Sequence, residues 1–136
     1  IQVPYNIFDQ RALVYQWFEK ARKRNKLVFI RSIYLQGLLL MDSEKIPDKL
    51  ELARPLLVDL EYIAKRLNVT KNELCISFVN STAKDSVILF GCETLSQAKE
   101  NLEVFNKLQD LDSVIINEIN DKFKNVDENI YNPTKW

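Results

Sequence analysis

Both glycines of this 136-residue chain lie just after a segment that we predict to be a β-strand. Gly91 directly follows the apolar run Ser86–Phe90, and Gly37 lies in the loop after the run Leu27–Ile33. Glycine tolerates a left-handed backbone and lets the chain approach a bound ligand closely. The residues after Gly91 lead into a helix, and the free amides of a helix N-terminus can bind an anion such as phosphate. The alternative is an ordinary capped strand-to-helix turn that binds no ligand.

The absence of histidine excludes several kinds of catalytic site. No serine–histidine or cysteine–histidine nucleophile can form, and no imidazole can act as an acid or a base. The two cysteines, Cys75 and Cys92, do not predict a zinc site without histidine, and they are too few for a disulfide framework. We therefore expect no metal centre and a reducing, cytoplasmic setting.

The charge pattern argues against nucleic acid and membrane partners. Nineteen Lys and Arg residues balance 19 Asp and Glu residues, so no net field attracts polyanions. The basic run Arg22–Arg24 falls in the last turn of a predicted helix, where cations suit the negative end of the helix dipole. No apolar run reaches the roughly 20 residues that a membrane-spanning helix needs.

Apolar patterning predicts three strands separated by helices. The strands are Ile1–Val3, Leu27–Ile33 and Ser86–Phe90, and the continuous apolar character of the second predicts burial on both of its faces. Asp9 can cap the first helix through its carboxylate. The apolar stripe of that helix consists of Leu13, Val14, Trp17, Phe18 and Ala21.

Four further helices are predicted after the second strand. One covers Leu52–Leu67, with Pro55 in its first turn or at a kink. The sequences Thr70–Glu73 and Thr94–Gln97 fit capping boxes, each of which begins a helix, and a last helix covers Ser113–Phe123. This alternation of strands and helices predicts a parallel sheet with right-handed crossovers.

Three parallel strands with two unpaired edges make a poor isolated domain. They suit the closing part of an eight-stranded (β/α)8 barrel, in which the loops after the strands build the active face. The chain also opens inside a predicted strand, so we expect residues 1–136 to be the C-terminal part of one barrel domain in a longer protein.

Three sequence blocks resemble the C-terminal half of the aldo-keto reductases over essentially the whole chain. They are IQVPYNIFDQR, RSIYLQGLLLM and VILFGCETLSQAKENLEVF, in that order and spacing. The resemblance implies a (β/α)8 (TIM) barrel that binds NADP or NAD, with NADP favoured by the family. It also implies an oxidoreductase that reduces aldehydes and ketones, or oxidises alcohols, by hydride transfer. The family's catalytic Asp, Tyr, Lys and His belong to the first half of the barrel, so no catalytic residue is assigned here and the segment alone is expected to be inactive.

The resemblance assigns cofactor contacts to four positions in the first two blocks. Gln2 corresponds to the family glutamine that bonds the nicotinamide carboxamide, and Ser32 to a serine beside the ring. Arg31 replaces the aromatic residue that usually stacks on the nicotinamide, and a guanidinium plane can stack or contact a phosphate. Gly37 is expected to let the loop pass close to the pyrophosphate.

The third block corresponds to the family segment that binds the adenosine end of the cofactor. Its matching residues are Gly91, Cys92, Thr94, Gln97, Glu100 and Asn101. Glu100 and Asn101 align with the pair that holds the adenine edge. Many relatives place a basic residue near the positions of Gly91 and Gln97 to bind the 2′-phosphate of NADP, and neither residue is basic here.

Two other functions fit parts of the pattern. A non-catalytic, cofactor-sensing regulatory subunit of the same fold would keep the binding residues, whereas a different phosphate-binding barrel enzyme fits the glycines but not the three ordered blocks. The expected partners are a nicotinamide dinucleotide, a small carbonyl substrate, and either the missing N-terminal half of the barrel or a second copy that pairs with the open edges. The loop Tyr34–Lys49 and the tail Tyr131–Trp136 are the candidate substrate contacts.

Overall fold

The computed structural model describes all residues from Ile1 to Trp136. Its strands β1 (Gln2–Pro4), β2 (Val28–Arg31) and β3 (Ser86–Ile88) form one sheet in that order. Both strand pairs are parallel. The predicted parallel arrangement of three strands is therefore confirmed.

Seven α-helices accompany the sheet. They are α1 (Arg11–Val14), α2 (Trp17–Lys23), α3 (Arg54–Arg66), α4 (Lys71–Thr82), α5 (Leu95–Asn106), α6 (Ser113–Phe123) and α7 (Glu128–Tyr131). Short 3-10 helices cover Leu38–Leu40, Asp48–Ala53 and Pro133–Lys135. None of these helices is both long enough and apolar enough to cross a membrane.

The predicted first helix is divided into α1 and α2. Gln16 lies between them with a left-handed φ of +57°, which turns the following residues to a new face. The prediction that Val14 belongs to the buried apolar stripe is therefore wrong, because its side chain is 58% exposed. The N-cap position of α1 is Gln10, but the buried Asp9 carboxylate still accepts a long hydrogen bond from Arg11 N at 3.4 Å, as well as forming a bidentate ion pair with the Arg11 guanidinium at 2.8 Å.

Local end signals are correct for the later helices. Thr70 and Thr94 cap α4 and α5 with both hydrogen bonds of a capping box. Pro55 lies in the first turn of α3, where a backbone N–H would have no acceptor within the helix, so its absence costs no hydrogen bond. The bounds of α6 agree with the predicted range.

The sheet has one buried face and one open face. Val28 and Ile30 on β2 are buried in the core, whereas Phe29 between them is 37% exposed. Val87 pairs with Phe29 in the sheet register and is 39% exposed. The prediction that β2 is buried on both faces is therefore wrong, because the helices of this chain cover only one side of a three-stranded sheet.

Candidate functional site

A cleft of about 1200 Å³ lies at the carboxyl ends of β2 and β3 and extends to the first residue of β1. Nine of the ten predicted site residues line this cleft. They are Gln2, Arg31, Ser32, Gly37, Gly91, Cys92, Gln97, Glu100 and Asn101. The tenth, Thr94, is not part of the wall, because its hydroxyl faces its own helix and accepts a hydrogen bond from Gln97 N at 3.2 Å.

The loop after β2, residues 32–37, has an unusual backbone. Ser32, Leu35, Gln36 and Gly37 all adopt left-handed φ values, from +48° to +88°. Non-glycine residues rarely adopt this conformation, so the surrounding contacts must hold it. Asn6 contributes one such contact, since its Nδ2 donates to Ser32 O at 3.0 Å.

The two glycines differ in backbone conformation. Gly37 has a φ of +88°, which explains the preference for glycine at the end of the β2 loop. Gly91 is not left-handed, and an added Cβ at either glycine would meet no atom within 4 Å. The protein alone therefore gives no steric reason for glycine at position 91, whereas a ligand lying against that backbone would supply one.

Backbone amides in both cleft loops lack a protein partner. The N–H groups that donate no hydrogen bond within the chain are those of Ser32, Ile33, Tyr34 and Gln36 in the first loop and of Phe90, Gly91 and Cys92 in the second. Such amides can donate to an anionic ligand. The α5 N-terminus itself is an ordinary capped turn, because the Gln97 side chain accepts from Glu93 N and Thr94 N.

The charged groups of the cleft are few and unequal. Arg31 is its cation without a carboxylate partner, and its guanidinium donates to Ser32 Oγ at 3.2 Å. Lys71 is paired with Glu61 at 3.0 Å. On the other wall, Glu93 and Glu100 are the acidic groups. The unpaired positive charge of Arg31 thus lies beside the β2 loop, whereas the two carboxylates lie beside α5.

Several polar residues of the cleft wall were not among the predicted cofactor contacts, and two of these, Tyr34 and Asn72, contact each other. The Tyr34 hydroxyl donates to Asn72 Oδ1 at 2.6 Å and lies 3.0 Å from Asn101 Oδ1. All three side chains are at most 9% exposed. Their sequence separations of 38 and 67 residues leave no local signal that could have revealed the contact.

The two cysteines have different surroundings. Cys92 is an exposed thiol in the cleft wall, and Cys75 is fully buried in the core. Burial raises the pKa of the Cys75 thiol to about 12. Only Cys92 is therefore placed to meet a ligand or a reagent.

The sheet, its surrounding helices and the cleft at the strand ends are those of a partial (β/α) barrel with a cleft on its loop face. A sequence model of the aldo/keto reductase family matches residues 1–122 of this chain. The chain belongs to that family, whose members are oxidoreductases that generally use NAD(P)H. A search among curated proteins found no significant match.

Solved aldo-keto reductases share this fold. The apo form of AKR11C1 from Bacillus halodurans is 17% identical, with a TM-score of 0.71 over 100% of this chain and 46% of that one. Its holo form is 16% identical, with a TM-score of 0.67 over the same shares. The thermostable aldo-keto reductase Tm1743, in complex with the inhibitor epalrestat, is 17% identical, with a TM-score of 0.60 over 89% of this chain and 38% of that one. The chain thus spans less than half the length of these structures.

Proposed function

We propose that this chain is the C-terminal part of an NAD(P)(H)-dependent aldo-keto reductase and that the cleft binds the dinucleotide. The observation that carries the proposal is the convergence on one cleft of nine residues from three separate sequence blocks. The chemical groups of the cleft also suit each part of the cofactor, from the nicotinamide to the adenine.

The diphosphate is assigned to the region between the two loops. Unpaired amides at Gln36, Gly91 and Cys92 can donate to its oxygens, and the free Arg31 guanidinium can offset its charge. Gln2 lies at the β1 end of the cleft, where its amide can both donate to and accept from a carboxamide. Glu100 and Asn101 on α5 are assigned to the adenine.

The cofactor supplies the hydride in this reaction class. The residues of this chain hold and orient it, and they include no histidine for proton transfer to a carbonyl oxygen. We assign the acid–base chemistry to the remainder of the barrel, and we expect this segment alone to be inactive.

The open side of the sheet supports a barrel-completing partner. The outer edges of β1 and β3 have no neighbouring strand, and Phe29 and Val87 are exposed between them. On α5, which follows β3, Leu95, Leu102 and Phe105 are also exposed. We assign this surface to the N-terminal half of the barrel, with a second copy of the chain as the alternative occupant. Light scattering of the chain alone and mixed with that half distinguishes the two.

The preference between NADP and NAD depends on the part of the cleft that holds the adenosine of the cofactor, because the two differ only in the 2′-phosphate there. The family favours NADP, yet the α5 wall of the cleft contributes Glu93 and Glu100 and no cation. A 2′-phosphate near these carboxylates would be repelled. We therefore expect the protein to bind NADH at least as tightly as NADPH.

The test uses the intact protein, an aromatic aldehyde and both reduced cofactors. Saturable quenching of tryptophan fluorescence together with loss of cofactor absorbance supports the proposal. Binding without turnover instead supports the regulatory subunit, and turnover by residues 1–136 alone contradicts the division of roles. Absence of binding contradicts the dinucleotide site.

A matched pair of variants sharpens this test. Arg31→Gln removes the free cation of the cleft, and Arg24→Gln removes an exposed arginine of the α2 C-terminus that lies outside the cleft. We expect Arg31→Gln to weaken NADH binding about tenfold or more, which is the effect of losing one hydrogen bond from a charged donor. Adenosine binding should be unchanged. Arg24→Gln should change neither. Equal losses for NADH and adenosine would contradict the placement of the diphosphate.

A further inference from the structure

Three polar side chains from distant parts of the chain meet in the wall of the cleft. Tyr34 belongs to the β2 loop, Asn72 to the first turn of α4 and Asn101 to α5. The Tyr34 Oη atom lies 2.6 Å from Asn72 Oδ1 and 3.0 Å from Asn101 Oδ1. Because an unpaired buried polar group is costly, these contacts hold all three side chains in place.

The tyrosine acts as a hydrogen bond donor in this cluster. Amide oxygens can only accept, so the bond to either one requires the hydroxyl proton. Burial, with a smaller contribution from nearby Glu100, raises the pKa of Tyr34, and the hydroxyl stays protonated at neutral pH. Asn72 Nδ2 is a second donor, 3.4 Å from Asn101 Oδ1. The single Tyr34 proton is shared between the two amide oxygens in a three-centre bond, so Asn101 Oδ1 accepts part of that bond together with the Asn72 Nδ2 donor.

The amide nitrogen of Asn101 is left for a ligand. Asn101 Nδ2 donates to no protein atom, although every other polar atom of the cluster has a partner. The one side-chain polar atom sealed from solvent without a partner is Asn120 Oδ1, so Asn101 Nδ2 keeps contact with the cleft. A half-turn of the amide would place Nδ2 against the Asn72 Nδ2 donor, which disfavours the other orientation.

We propose that Tyr34 is a positioning residue that fixes the Asn101 amide with Nδ2 as a donor toward an acceptor atom of a nucleotide base in the cleft. The inference rests on the proposed dinucleotide site. The ring nitrogens of adenine are acceptors of this kind. Because the orientation is set by the protein before the ligand arrives, binding does not have to order the amide.

The first test compares two halves of the cofactor on the intact protein. Tyr34→Phe removes the hydroxyl and keeps the ring, which packs against Phe90 with centroids 6.5 Å apart. Tyr62→Phe is the matched control, since Tyr62 is 61% exposed on α3 and lies outside the cleft. Calorimetric titration should show about fivefold weaker binding of ADP-ribose to Tyr34→Phe, the factor for one hydrogen bond. Binding of nicotinamide mononucleotide should stay within twofold, and Tyr62→Phe should match the wild type.

A second variant separates the donor from the packing. Asn101→Asp keeps an oxygen that can accept from Tyr34 and Asn72 but replaces the Nδ2 donor. It should therefore also weaken the binding of ADP-ribose and leave the binding of nicotinamide mononucleotide unchanged. If Tyr34 acts through Asn101, the double variant should lose little more than Asn101→Asp alone.

Three results would contradict the role of Tyr34. They are unchanged ADP-ribose binding in Tyr34→Phe, equal weakening of both ligands, and additive losses in the double variant. Failure of the wild-type protein to bind either ligand is a separate outcome that overturns the dinucleotide site and, with it, this inference.

Discussion

The two loops that wall the cleft are held in different ways. The β2 loop, Ser32–Gly37, is tied by turns of its own backbone, by Asn6 and by the Tyr34 hydroxyl. The β3 loop, Leu89–Glu93, is tied only at its ends, by the Leu89 N–H to Ile30 O and by the Glu93 N–H to the Gln97 side chain. We infer that the first loop is preformed and that the second depends on a ligand to order its central amides.

The largest expected effect is the loss of Asn6. This fully buried side chain accepts from Phe8 N and Asp9 N at 2.9 Å and donates to Ser32 O, so it joins the β1 and β2 loops. Asn6→Ala should lower the free energy of unfolding by about 3 kcal/mol, because the buried Phe8 and Asp9 amides lose their acceptor and Ser32 O loses one of its two donors. Urea unfolding of the intact protein measures this loss. Asn129→Ala, at an exposed site, is the control, and equal effects of the two would contradict a tied β2 loop.

The two glycines give the most direct contrast between the loops. Gly37→Ala should cost about 1–2 kcal/mol of unfolding free energy, because alanine is strained at a φ of +88°. Gly91→Ala should leave stability nearly unchanged, since the residue is not left-handed and has open space around it. It should nevertheless weaken NADH binding if the diphosphate lies against that backbone. Similar unfolding free energies of the two variants in urea would contradict the claim that only Gly37 needs a left-handed backbone.

A smaller effect is expected at the end of the β3 loop. Thr94→Ala removes the N-cap of α5 and should lower stability by about 1 kcal/mol. Thr70→Ala removes the equivalent cap of α4 and is the matched comparison. If the end of the β3 loop depends on its cap, Thr94→Ala should also speed hydrogen exchange at the Glu93 amide, which donates to the Gln97 side chain, whereas Thr70→Ala should not. Equal exchange in both variants would contradict that dependence.

The smallest perturbation uses the natural cysteines. A thiol reagent should modify the exposed Cys92 in the native protein and leave the buried Cys75 intact, because burial raises the pKa of that thiol to about 12. NADH should slow the modification of Cys92. Modification at an unchanged rate under saturating NADH would place the cofactor away from the β3 loop.

The features that the sequence predicted correctly are those encoded within a few neighbouring residues. The capping boxes at Thr70 and Thr94 and the bounds of α6 are encoded within a few residues, and each is correct. The convergence of the three blocks on one cleft followed from the family resemblance. The Tyr34 cluster depends on contacts with distant segments, and the left-handed Gln16 interrupts an apolar pattern typical of one continuous helix, so local patterns revealed neither.

The open face of the sheet shows a second limit of sequence patterns. An apolar run such as Leu27–Ile33 predicts that both faces of a strand will be covered, but it does not say by which residues. Phe29 and Val87 are exposed because the helices of this chain cover only the opposite face. An apolar strand sequence therefore predicts burial in the complete barrel, and not in a segment that lacks the remaining strands and helices.

The central claim is that the cleft at the strand ends binds a nicotinamide dinucleotide. Calorimetric titration of the intact protein with NADH tests it most directly, with the Gly91→Ala variant measured in parallel. We predict saturable binding at one site per chain, weakened in the variant without loss of stability. No saturable heat in the wild-type protein, or equal affinity in a folded Gly91→Ala variant, would contradict the account.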